Sequence, residues 1–322
     1  MFKLPSLPTP SSDVHELADF IELLAWMKGM ASLREVAAYL GQTDDNDPNV
    51  GIEDSQNQIA DRLDEVMHEI EARSEACRVG YPFVQDPTGT VLRSDAVKLS
   101  DVPGRVYCYL LLSTRLNMER DRILADIDGT HLLEQLAKVV LRGYLGDRAC
   151  SLVFGTSKQG TFDQRINNLC SALAEGVAYT SRTGRVRRSG DGKLDVVAWK
   201  PFADGLPGKV ILFVQCKTGT SWRNDVAQLQ PDAFCDKWIQ QPLGITPVRT
   251  FVISEAEERV RFPETVLDAG LLFDRCRIID FCPDLNADLA KRLHIWTSAA
   301  FAVARAALDP TTPQNGVLQP TP

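Results

Sequence analysis

The chain has 322 residues, 44% of them hydrophobic and 24% charged, and a formal net charge of −8. That is material for two domains of ordinary globular composition, and the acidic total argues against holding nucleic acid by bulk charge. No apolar run approaches the roughly 20 residues needed to span a bilayer, so a cytoplasmic protein with no membrane partner is expected.

Residues 1–13, MFKLPSLPTPSSD, are rich in Pro and Ser, lack a long apolar core and read as a flexible leader rather than a signal peptide. Residues 14–100 read as a helical domain. HELADFIELLAWMKGM places Leu17, Phe20, Ile21 and Leu24 at helical spacing. SLREVAAYLG is a short helix with Ser32 as N-cap, Glu35 three residues on and Gly41 as its stop. After an acidic loop, DSQNQIADRLDEVMHEIEARSEAC turns Ile59, Leu63, Val66, Met67 and Ile70 inward, and YPFVQDPTGTVLRS reads as a hairpin about Pro87–Gly89. Three helices and a hairpin resemble the order of a winged-helix domain. The third helix, the one that would read DNA, carries Asp61, Asp64, Glu65, Glu69, Glu71 and Glu75, a face that repels phosphate. A helical region for a partner protein or for homodimerisation is the other reading.

Residues 101–149, with VYCYLLLSTRLNM and HLLEQLAKVVLRGYLG, read as a helical connector. From 150 to 307 helices and strands alternate: helix TFDQRINNLCSALA, strands LDVVAW and KVILFVQCK, helix DVAQLQPDAFCDKWIQ, strand VRTFVIS, helix PETVLDAG, strand CRIIDF and helix DLAKRLHIWTSAAFAVARAAL. This is the pattern of an α/β domain with a central mixed sheet flanked by helices. Residues 308–322 read as a flexible tail. The eight cysteines form no CxxC pair and sit mostly in apolar segments, so reduced, buried thiols are expected. Four scattered histidines form no HExxH motif, so a zinc enzyme is not expected. GTSKQGTF at 155–162 lacks the GK[ST] of a phosphate loop and reads as a turn with Thr161 capping the next helix.

Charge is unevenly spread. Residues 1–150 hold 15 Lys/Arg against 25 Asp/Glu, a balance of −10, whereas residues 180–224 hold 9 against 3, a balance of +6. Within that basic stretch, LDVVAW buries a carboxylate, Asp195, in an apolar strand, and VILFVQCK ends an apolar run on Gln215 and Lys217. Alternation along a strand puts Gln215 and Lys217 on one face and Cys216 on the other. Buried carboxylates and ammoniums are costly unless paired or bound to a metal, so these residue types on core strands point to a shared site.

GDGKLDVVAW followed by FVQCK resembles the PD-(D/E)xK nuclease superfamily, in the variant with Gln at the second acidic position, and is similar to Mrr-type restriction enzymes over roughly residues 155–285. The resemblance implies a restriction-endonuclease-like core and a Mg²⁺-dependent (or Mn²⁺-dependent) DNA endonuclease, used in restriction or anti-phage defence. Asp195 is then the metal-binding aspartate, Gln215 offers its amide oxygen, Cys216 its backbone carbonyl, and Lys217 is the motif lysine. The leading helix of such cores often supplies another acid, assigned here to Asp163, with Glu175 as the second choice. Arg182, Arg185, Arg187, Arg188 and Lys193, on a Gly-broken basic turn before Asp195, and Arg223 are the expected phosphate contacts, with Trp222 flanking the cleft. The pattern departs from the family in the neutral Gln215, in Leu194 where the family has Pro, and in a 20-position gap from Asp195 to Gln215. A catalytically decayed nuclease fold serving as a nucleic-acid-binding or scaffold protein is the alternative.

Overall fold

The computed structural model describes residues 1–43, 52–155, 161–177 and 193–308; the side chains of 41–43 and 52–60 lie outside the described set. The chain opens with helix α1 (Val14–Lys28), strand β1 (Met30–Ser32), helices α2 (Leu33–Thr43) and α3 (Ile52–Cys77), and the hairpin of β2 (Phe83–Gln85) and β3 (Val91–Ser94). The three strands form an antiparallel sheet in the order β1-β3-β2. The expected local signals act here. Ser32 Oγ accepts from the Glu35 N–H at 3.2 Å, and the Asp86 carboxylate holds the hairpin turn by accepting from the Thr90 and Val91 N–H groups, each at 2.8 Å.

Helices α4 (Ala96–Ser100) and α5 (Val102–Arg115), the short pair β4 (Ile123–Leu124) and β5 (Ile127–Asp128), and helix α6 (Gly129–Leu145) follow. Next come β6 (Cys150–Val153), α7 (Phe162–Leu173), β7 (Val196–Trp199), β8 (Ile211–Lys217), α8 (Pro231–Trp238), β9 (Val248–Ile253), α9 (Phe262–Ala269), β10 (Leu271–Phe273), α10 (Arg275–Asp280) and α11 (Ala287–Leu308). The mixed α/β expectation holds: five strands form one sheet in the order β10-β9-β8-β7-β6. Strands β6, β7 and β8 pair antiparallel, and β8, β9 and β10 pair parallel.

The sheet is covered on both faces. Val197, Trp199, Ile211 and Phe213 pack against Ile166, Leu169 and Leu173 of α7 and Phe234 and Trp238 of α8. Val196, Ala198, Leu212 and Val214 join Leu133, Leu136, Ala137 and Val140 of α6 on the other face. Helix α6, expected as part of a connector, is thus a layer of the α/β unit.

Other expectations are corrected. The leader is packed: Phe2 and Leu4 are buried, the Leu4 N–H donates to Arg115 O at 2.8 Å, and the Arg115 guanidinium lies over the Phe2 ring. CRIIDF is helix α10, because the Asp274 carboxylate accepts from the Arg277 N–H at 3.0 Å and starts a turn there; the strand is the preceding Leu271–Phe273. The helix expected from residue 225 begins at Pro231, a residue suited to a first turn. Strand β6 was not expected at all. All eight cysteines are free, and Cys77, Cys108, Cys170 and Cys276 are buried. Among the described residues no helix is long and apolar enough to cross a membrane. The basic turn at Arg182, Arg185, Arg187 and Arg188 and the tail from 309 onward lie outside the described residues.

Candidate active site

The antiparallel register pairs Val196 with Val214, and one step further Asp195 falls opposite Gln215. The Asp195 N–H donates to Val214 O at 2.8 Å, and its carboxylate Oδ2 accepts from the Cys216 N–H at 2.7 Å. The acid is therefore anchored at the point where the two strands leave the core. Gln215 is 1% exposed, and among the described residues neither its Oε1 nor its Nε2 has a hydrogen-bond partner. Lys217 emerges at the strand end, where its Nζ lies 2.5 Å from Asp225 Oδ2.

These residues line one cleft of about 390 Å³, together with Lys3, Glu119, Arg122, Glu134, Lys193 and Asp225. The structure thus brings Asp195, Gln215, Cys216, Lys217 and Lys193 together. Burial first, then the negative charges of Asp195 and Glu134, push the Cys216 thiol well above its ordinary range. The thiol stays neutral, with both acids near enough to act on it.

The acid assigned to the leading helix is corrected. Asp163 is exposed on the first turn of α7 and does not line the cleft. Thr161 caps that helix as expected, in a reciprocal pair with Gln164. Glu175 is buried elsewhere, accepting from the Gly208 and Gly244 N–H groups at 2.8 and 3.0 Å and facing Lys209 Nζ at 3.4 Å; it braces two turns. Glu134 of α6 is the helix-borne acid in the cleft. Its sequence signal was a carboxylate on the inward stripe Leu133, Leu136, Ala137 and Val140, obscured by reading α6 as a connector. Lys3 was hidden in the leader and Arg122 in a loop.

Two further assignments do not survive. Arg223 lies off the cleft and is spent on Glu255 and Glu257, at 3.2 and 2.6 Å. Trp222 does not flank the cleft; it is 1% exposed and donates its Nε1–H to Glu255 at 2.6 Å. A cleft lined by four carboxylates, among them Asp195 and Glu134 on different elements, by Gln215 and by several cations has the donors to hold a hard divalent ion beside a polyanion. Compared with protein-family models, curated proteins and solved structures, the chain has no match in any of the three.

Proposed function

We propose that the protein is a metal-dependent endonuclease of the PD-(D/E)xK type acting on DNA, with its centre at Asp195, Gln215, Lys217 and Glu134. One observation carries the reading. Gln215, whose buried amide has no hydrogen-bond partner among the described residues, lines the same cleft as Asp195, Glu134 and the motif lysine. An orphaned buried amide is costly, and a bound ion would satisfy its oxygen. The donor set is all oxygen, which fits Mg²⁺ or Mn²⁺: the carboxylates of Asp195 and Glu134, the Gln215 Oε1 and the Cys216 carbonyl would hold the ion. When bound, such an ion supplies an acidified water and neutralises phosphoryl charge.

The chain's own residues do the rest. Cys216 N–H orients the Asp195 carboxylate. Lys217 delivers a positive charge to the phosphoryl group as Asp225, its present partner, gives way. Lys3, Arg122 and Lys193 sit around the cleft where backbone phosphates would run. The order helix, strand, strand, helix, strand that the resemblance implies is matched by α7, β7, β8, α8 and β9, with α6 and β6 ahead of them. A role in restriction or anti-phage defence follows from the resemblance alone.

In the N-terminal part, the order α1-β1-α2-α3-β2-β3 with sheet order β1-β3-β2 supports the winged-helix reading. Its third helix nevertheless exposes Asp61, Asp64, Glu65, Glu71 and Glu75, which suits a partner protein or a second copy better than DNA. The pairing of Lys217 with Asp225 and the neutral Gln215 favour, as second reading, a binding-only descendant of the nuclease fold. Plasmid DNA incubated with Mg²⁺ and wild type, Asp195→Ala or Lys217→Ala separates the two. Nicking or cleavage should fall by at least about 100-fold in each variant. Equal cleavage by all three proteins overturns the nuclease reading, and binding without cleavage by wild type selects the second.

A further inference from the structure

Away from the cleft, three side chains from opposite ends of the sequence converge. Asp13, His15 and Glu258 each offer one ligand atom, and these atoms lie within 4.8 Å of one another. Acids and a histidine near one another are common on protein surfaces, but this group has two features that an incidental cluster lacks.

The first is His15. Its side chain is 1% exposed, and neither ring nitrogen makes a hydrogen bond among the described residues. One of them, Nε2, stands 3.3 Å from Glu255 Oε1. Glu255 is itself fixed by the Trp222 Nε1–H at 2.6 Å and by the guanidiniums of Arg223 and Arg115 at 3.2 and 3.3 Å. A buried imidazole with both nitrogens unbonded, and a carboxylate close behind one of them, is placed to give its opposite nitrogen to a metal while the carboxylate orients the ring. The second is Asp13. It stands at the N-cap position of α1, where an Asp ordinarily accepts from the first backbone N–H groups, yet its side chain makes no such bond. It is turned instead towards the segment after β9, where Arg261 reaches Asp13 at 3.4 Å and Glu258 at 2.9 Å.

We propose that Asp13, His15 and Glu258 form a binding site for a borderline divalent cation of the Zn²⁺ class, joining the start of α1 to the segment after β9. One imidazole nitrogen with two carboxylate oxygens suits such an ion better than Mg²⁺, which prefers oxygen throughout. Donor atoms around bonds of about 2.0–2.2 Å stand roughly 3–4 Å apart, so modest rotations of Asp13 and Glu258 close the set. Arg261, whose side chain is 48% exposed, holds the place of the cation and swings to solvent when the ion enters. The ion's two charges then balance the two carboxylates. Three protein ligands leave a position for water, and the role is to tie the N-terminal helix to the α/β unit.

The test uses full-length protein stripped with chelator, in an Asp195→Asn, Glu134→Gln background that removes the cleft acids. Zn²⁺ is titrated by calorimetry, and Co²⁺ by its visible absorption bands. One equivalent is expected to bind and to raise the unfolding temperature. Binding should weaken at least 10-fold in His15→Gln and in Glu258→Gln, and tighten in Arg261→Gln, which removes the competing cation. Glu258 is partly exposed, so its variant decides the matter if His15→Gln does not fold. No binding to the background protein, or the same affinity and stoichiometry in Glu258→Gln, overturns the proposal. Neither result bears on DNA cleavage at the other site.

Discussion

Gln215 concentrates the chemistry of the candidate site in one side chain. Flanking positions 213 and 214 are apolar and buried, so the strand pattern alone would accept Leu or Val there. An amide with both polar atoms unpartnered loses its water contacts for nothing unless a ligand supplies them. Gln215→Glu is the discriminating change. Without metal it adds a buried carboxylate near Asp195 and Glu134, and stability in EDTA should drop by roughly 2–4 kcal/mol. With Mg²⁺ the extra charge becomes a stronger ligand, so the loss should be largely recovered and the midpoint for Mg²⁺ activation should fall. Thermal unfolding in EDTA and in Mg²⁺ reads both effects. An equal loss under both conditions would mean that no ion visits Gln215.

Helix α6 is the element on which the site depends most. Its N-cap Asp128 accepts from the Thr130 and His131 N–H groups at 2.9 and 3.3 Å. Its first residue, Gly129, lies so close to Trp296 of α11 that a Cβ would stand 2.6 Å from the indole ring. The helix is thus pinned at its start by a cap and a close approach, and one turn later it presents Glu134 to the cleft. Asp128→Ala should cost about 1 kcal/mol through the cap. Gly129→Ala should cost more, roughly 1–3 kcal/mol, because Trp296, which is 0% exposed, has no room to withdraw. Denaturant melts measure both, and a neutral Gly129→Ala would show that α11 yields.

At the scale of the whole molecule, the two parts expected from the sequence are fused. One apolar cluster runs from Phe2 to Ala304, and a buried ionic network crosses the same boundary. Arg73, Arg115 and Arg275, from α3, α5 and α10, converge on Asp19 of α1 at 2.7–2.9 Å, and all four are 0% exposed. Burial pushes the Asp19 carboxyl up, but the guanidiniums of Arg275, Arg115 and Arg73 override it and hold it well below the usual carboxylate range. Burial likewise raises Glu255, and His15 and Arg115 more than reverse this, bringing it down to about 2. A depressed acid stabilises the fold above its unfolded value near 4.5, and that contribution is lost as pH falls towards about 2. For Glu255 it is roughly 3 kcal/mol. Glu22 and Glu257 are raised, chiefly by burial, and act with the opposite sign, so the wild-type curve is a sum. The difference between wild type and Glu255→Gln isolates the one group. It should be largest near neutral pH and shrink between pH 4.5 and about 2; a gap independent of pH would exclude this origin.

Local physics made part of this protein legible in its sequence. Helical spacing placed Leu63, Val66, Met67 and Ile70 of α3 inward, and all four are buried. The Ser32 and Thr161 caps, the hairpin about Asp86, and the strands carrying Asp195, Gln215 and Lys217 depend on neighbours within a few residues. What spacing could not supply was the matching of distant surfaces. Whether α6 is a connector or a sheet layer depends on strands that come later in the chain. Arg223 reads as a free phosphate contact until the loop after β9 brings Glu255 and Glu257 to it. Asp163 and Glu134 are both acids near inward helical stripes, and only packing decides which one reaches the cleft. Glu258 lies more than two hundred residues from Asp13 and His15, so no ligand spacing could reveal the three together. Sequence periodicity reports which face of an element is buried, but the partner is chosen by long-range burial and charge pairing, which exist only in the assembled fold.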